Sequence, residues 1–219
     1  MEKSNPDRIC VQVFAKISAA ISHEIKNTLS IINENAGLLD DYAQMAEQTG
    51  GLPIDRVLNI TSTIAKQVDR SNIIMKNLNR YAHSGDTSLA HANLKDTLSL
   101  VVALASRQAA MKEISVTVQC LEDISIYTHL MPLESLIYLT LLSLFEDCEG
   151  GNTLIVHGTE DQDNITVSFT IQEEKIIQPD IYPDDDQQLL AELVSGSYRH
   201  EKNQLNITFP AKIPCHTSL

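Results

Sequence analysis

The sequence predicts an α+β protein in which a long antiparallel helical hairpin, paired with a second copy as a dimeric four-helix bundle, is followed by an α/β sandwich. Three observations carry this prediction. Apolar residues recur at spacings of three and four from about residue 8 to 48, and again from 54 to about 82. Each run is one stripe of an amphipathic helix. The breakers Thr49-Gly50-Gly51-Leu52-Pro53 separate the two runs. Beyond about residue 87, short alternating segments are interleaved with helical ones, the pattern of paired strands packed on helices. The expected domains are therefore 1–86 and 87–219.

In the first helix the stripe reads Phe14, Ile17, Ile21, Ile25, Thr28, Ile32, Ala36, Leu39, Ala43 and Ala46. The helix should end near Gln48, at the breaker cluster, and Pro53 suits the start of the next helix. There the stripe is Ile54, Val57, Leu58, Ile64, Val68, Ile74, Leu78 and Tyr81. Two long helices joined by a short turn form a hairpin with little else to cover its apolar line. Pairing two copies removes that line from water, so the hairpin is expected to dimerise.

His83 to Ser88 reads as a linker. Beyond it, Leu94 to Met111 is helix-like, Ile114 to Val118 alternates as a strand, and Ile124-Ser125-Ile126 is a weaker strand. Leu133 to Phe145, preceded by Pro132, is a buried helix. Strands Thr153 to His157 and Asn164 to Ile171 flank the polar turn Glu160 to Asp163. Gln187 to Ser195 is predicted helical and Leu205 to Pro210 a last strand.

At 219 residues, with 43% hydrophobic content, the chain can bury a sizeable core. A net charge of −13 argues against nucleic acid or an anionic membrane as a general partner. Asp180 and Asp184-Asp185-Asp186 read as a solvated surface run. Cys10, Cys120, Cys148 and Cys215 have no metal-type spacing and fit reduced thiols in a cytoplasmic protein. The greasiest stretch, Leu136 to Phe145, is too short to span a bilayer.

The candidate chemical centre is His23, within Ser22-His23-Glu24-Ile25-Lys26-Asn27-Thr28-Leu29. It lies midway between the stripe residues Ile21 and Ile25 and so points away from the seam. Its own face carries Ala19 and Ala20 one turn earlier, and Lys26 and Asn27 one turn later. Small residues allow another protein to approach the imidazole, while a cation and an amide can receive an anion. A zinc site of the His-Glu-x-x-His kind is excluded because position 27 is Asn.

This stretch, continuing through Ser30-Ile31-Ile32 to Asn35-Ala36-Gly37-Leu38-Leu39, resembles the H-box of two-component sensor histidine kinases. By that resemblance His23 is the phospho-acceptor, and Glu24 the general base or hydrogen-bond partner of the imidazole. Asn27 falls where the family's phosphatase motif orients a water. Thr28 stands where the family usually has proline, which implies a weaker helix bend. Lys16, Ala19, Ala20, Lys26 and Ser30 would meet the partner, with Lys76 and Arg80 as further docking cations.

The order of elements in the second domain resembles the family's ATP-binding domain, but its ligand-binding residues are missing. Where the resemblance places asparagines for magnesium, the helix from Leu133 has Leu139 and Ser143. Gln172-Glu173-Glu174-Lys175 occupies the place of the Asp-x-Gly-x-Gly turn. Gln188 to Val194 occupies that of the last glycine box, again without glycine. Phosphate cradles rely on N–H groups exposed by glycine turns, and Gly150-Gly151 reads instead as a helix-ending turn. Glu146 and Asp147 read as a solvated helix end.

The resemblance thus implies a histidine phosphotransferase with a degenerate ATPase-like sandwich, relaying phosphoryl groups between aspartates of response-regulator receiver domains through His23. No cofactor is expected in the chain itself, and ATP is not expected to bind. Magnesium would come with the partner receiver. Two alternatives stay open: an atypical histidine kinase that phosphorylates His23 from ATP, and a non-catalytic adaptor that binds receivers.

Overall fold

The computed structural model describes residues 5–49, 51–172, 182–201 and 203–213. Their contacts divide the chain into two units: Ser18–Asn79, and a second formed by the residues up to Ile17 with those from Arg80 onward. Helix α1 (Pro6–Thr49) and helix α2 (Ile54–His83) each contribute to both.

In the unit Ser18–Asn79 the two helices run antiparallel, with Glu24 against Arg70, Thr28 against Ser71 and Tyr42 against Arg56. The second helix is nucleated by Pro53, whose carbonyl accepts from the N–H of Arg56 at 3.0 Å and of Val57 at 3.1 Å. The buried seam is narrower than the sequence stripe. Ile21, Thr28 and Ile60 are buried, whereas Ile54, Leu58 and Val68 are exposed, as are Ala36 and Ala43. A helix covered by one neighbour buries a single line of contact, and residues beside that line stay in solvent. Thr28 is accommodated in the seam because its hydroxyl shares a 2.8 Å hydrogen bond with Ser71 and donates to the Ile25 carbonyl at 2.8 Å.

In the other unit, Asn5 caps α1 by accepting from the Arg8 N–H at 2.7 Å. Ile9, Cys10, Val13 and Ile17 form the buried line there. Phe14, predicted for the stripe, instead sits at the rim and stacks on Tyr81 with ring centroids 6.4 Å apart. Tyr81 is fully buried, and its hydroxyl pairs with Ser135 at 2.7 Å. The segment expected to be a linker closes α2: the buried Ser84 returns its N–H to the Arg80 and Tyr81 carbonyls at 3.2 Å.

Strand β1 (Ala90–Asn93), which the sequence pattern did not reveal, pairs antiparallel with β3 (Ser125–Thr128). Between them lie helix α3 (Leu94–Met111) and β2 (Ser115–Cys120). Asn93 caps α3 by accepting from the Asp96 N–H. Helix α4 (Leu130–Asp147) starts earlier than predicted and takes Pro132 into its first turn, where no N–H is needed. Strands β4 (Thr153–Asp161) and β5 (Asn164–Ile171), helix α5 (Asp185–Leu193), and strands β6 (Ser197–Glu201) and β7 (Gln204–Pro210) complete the fold. β6 was also not predicted; its alternating side chains are largely polar and exposed. The acidic run read as a solvated loop is in fact a helix start, with Asp184 and Gln187 forming a reciprocal capping box.

The larger sheet has the order β2-β4-β5-β7-β6, parallel between β2 and β4 and antiparallel elsewhere. Cross-strand pairs Ile165–Phe209, Val167–Ile207 and Phe169–Leu205 are buried and form its core with Leu154 and Val156. α3 packs on β2 and α4, and α5 packs on α4. Gly158 lies where a Cβ would come within 2.8 Å of Cys120 Sγ and 2.9 Å of Leu94, so the α3–sheet approach requires glycine there. After α4 the chain turns through Gly151, whose φ of 92° favours glycine. Glu173 to Lys175, Asp180, Cys215 and His216 lie outside the described residues.

Candidate functional site

His23 is on the solvent side of α1, with Asn27 and Ser30 also exposed and Thr28 turned into the seam. Ala20 is half-buried, whereas Ala19 and Lys26 are exposed. Residues 19, 20, 26, 27 and 30 are three, four or seven positions from His23 and therefore share its face. Lys16 belongs by its contacts to the other unit, where it is exposed. Lys76 is exposed on α2.

Glu24 does not stand alone. Arg70 Nη2 on α2 donates to Glu24 Oε1 at 2.7 Å, with the Glu24 side chain only 15% exposed. A carboxylate this sheltered from water needs a partner, and the opposite helix supplies it. Arg70 was not singled out in the sequence, since its position opposite Glu24 depends on the helix–helix register. Just before His23, the Ser22 hydroxyl bonds back to the Ser18 carbonyl at 2.8 Å, as helical serines commonly do.

In the sandwich, the α4 face that the sequence resemblance links to nucleotide binding is occupied by the protein's own side chains. Ser143 Oγ accepts from Gln187 Nε2 at 3.2 Å, Tyr182 donates to Asp147 at 2.9 Å, and Thr140 and Tyr198 share a 3.0 Å hydroxyl contact. Burial, followed by the Asp147 carboxylate, pushes the Tyr182 phenol far above its ordinary range; burial alone does most of the same for Tyr198. Both phenols therefore stay neutral donors. Leu139 is half-buried and offers no ligand atom. At the helix end, read from sequence as solvated, Glu146 is exposed and pairs with Lys112, whereas Asp147 is engaged by Tyr182. Among the described residues there is no group of three or more His, Cys, Asp or Glu able to hold a metal ion, and no helix is long and apolar enough to cross a membrane.

With this geometry established, comparison with solved structures identifies the fold. No protein-family profile matches the chain, and neither does any curated protein. Among solved structures, the catalytic domain of histidine kinase ThkA superposes with a TM-score of 0.50 at 10% identity, covering 58% of this chain and all of that domain. This likeness shows the fold of a histidine kinase catalytic domain. A histidine kinase from Burkholderia phymatum is similar over 85% of this chain and 99% of its own, at 13% identity and a TM-score of 0.48. ThkA in complex with the response regulator protein TrrA gives a TM-score of 0.46 at 12% identity, covering 92% of this chain and 63% of that one.

Proposed function

We propose that this chain is a histidine phosphotransferase of a cytoplasmic two-component relay, working through His23 as a homodimer. The observation that carries the reading is the contrast between its two candidate sites. His23 is open to solvent beside a fixed acidic residue, whereas Thr140, Ser143 and Asp147 on α4 are engaged by Tyr198, Gln187 and Tyr182. A nucleotide arriving at α4 would have to displace these internal hydrogen bonds, each worth about 0.5–1.5 kcal/mol net. The exposed apolar residues Leu29, Leu38, Leu58 and Ile73 of the hairpin support pairing with a second copy, which would remove them from water.

In this function an imidazole nitrogen of His23 attacks the phosphorus of a receiver's aspartyl phosphate. The P–O bond breaks, the aspartate leaves as a carboxylate, and the imidazole N–H proton passes to solvent. Transfer to a second receiver reverses these bond changes. Magnesium and the acidic cluster belong to the receiver, so the chain need supply only position and charge. Glu24 accepts the imidazole N–H, Asn27 can orient a water for hydrolysis, and Ala19, Ala20, Lys26 and Ser30 form the contact face. Lys76, in the same unit as His23, is a further docking cation.

The kinase-like fold keeps one rival in view, an atypical kinase that phosphorylates His23 from ATP. Incubation with γ-labelled ATP and magnesium, then separately with a phosphorylated receiver, tests both. The proposal expects label only from the receiver and none in His23→Ala. Label from ATP would establish the kinase instead, and label from neither source would leave an adaptor.

A further inference from the structure

We propose that Arg70 is a positioning residue for the phosphoryl-bearing state of His23, acting by neutralising Glu24. This rests on the reading of His23 as phospho-acceptor. Phosphorylation places about −1.5 to −2 charges on the imidazole, one position before the Glu24 carboxylate on the same helix. That carboxylate is 15% exposed, so solvent screens it poorly, and the chain already carries a net charge of −13. Arg70 holds Glu24 at 2.7 Å from the opposite helix while remaining 59% exposed itself. It is thus anchored on the residue that would repel the phosphoryl group, with its side chain largely open to solvent. Lys26 shares the His23 face but is exposed; the Arg70–Glu24 ion pair fixes a cation on the neighbouring carboxylate.

The pair also restrains Glu24. Loss of Arg70 would leave two anions side by side and make the phosphorylated state harder to reach and quicker to lose.

The test uses the full chain and phosphoramidate, a small donor that needs no receiver. An imidazole nitrogen attacks phosphorus, the P–N bond of the donor breaks, and ammonia leaves with a proton. Phosphohistidine is followed by ³¹P NMR in wild type, Arg70→Ala, Arg70→Lys, Glu24→Gln and the double variant Arg70→Ala/Glu24→Gln. Arg70→Ala should lower phosphorylation at His23 and shorten its lifetime by about tenfold, equivalent to roughly 1.4 kcal/mol. Arg70→Lys should recover part of the loss, and in the Glu24→Gln background, where the carboxylate needing neutralisation is gone, Arg70→Ala should change the lifetime little further. An unchanged rate and lifetime in Arg70→Ala, or an Arg70→Ala effect that is just as large in the Glu24→Gln background, overturns the proposal. Equal labelling of His23→Ala would overturn the phospho-acceptor reading itself, a distinct failure.

Discussion

Glu134 offers the sharpest test of how this structure balances burial against charge. It is 1% exposed on α4, and one of its carboxylate oxygens has no hydrogen-bond partner. Burial raises its pKa from 4.5 to about 7, opposed in part by a hydrogen bond from Ser84 and by the charge of Arg80. The folded state therefore holds this proton more tightly than the unfolded chain. The associated stability is complete below the unfolded value of 4.5 and is lost as pH rises through about 7. Linkage puts the loss between about pH 5 and about pH 8 at roughly 2.5 kcal/mol, a large part of a typical domain's stability. Replacement by Gln removes the titration while keeping the shape. Urea unfolding of wild type and Glu134→Gln at both pH values, monitored by circular dichroism, isolates this residue from the other carboxylates. The variant should gain about 2–3 kcal/mol on wild type as pH is raised. A difference between the two proteins that stays constant across this range would refute the reasoning.

Three further outcomes follow from local geometry. Thr28→Val removes the shared hydroxyl contact with Ser71 in the hairpin seam and should cost about 1 kcal/mol, read as a lower thermal midpoint. Asp184→Ala breaks the capping box at the start of α5 and should cost about 1 kcal/mol in denaturant titration. Gly158→Ala sets a methyl group against Cys120 and Leu94; overpacking of about 1–3 kcal/mol should appear in the same titration, while a neutral result would mean that α3 can shift from the sheet.

The candidate site was more legible in the sequence than its support. His23 could be placed off the seam from its offset to Ile21 and Ile25, because helical periodicity alone determines which way a residue faces. Arg70 could not be found in that way. Residues 14 to 46 positions apart meet across the hairpin, and nothing local to position 24 marks Arg70 as its partner. That partner is known only once the two helices are laid against each other. Likewise, Phe14 fits the stripe by spacing, but Val13 is the buried residue of the two. Neighbouring positions differ by only about 100°, and the elements packed against a helix select between them.

The two long helices, the turn between them, the exposed histidine and most of the sandwich elements follow from period, breakers and caps within a few residues. β1 and β6 carry no such local signal and are strands because they pair through backbone hydrogen bonds with β3 and β7. Folding likewise satisfies Asp147, Ser143 and Thr140 from within, by Tyr182, Gln187 and Tyr198. These partners lie 35, 44 and 58 residues away along the chain. No local pattern encodes such meetings; they exist only once the sheet and its helices have brought distant side chains within hydrogen-bonding distance.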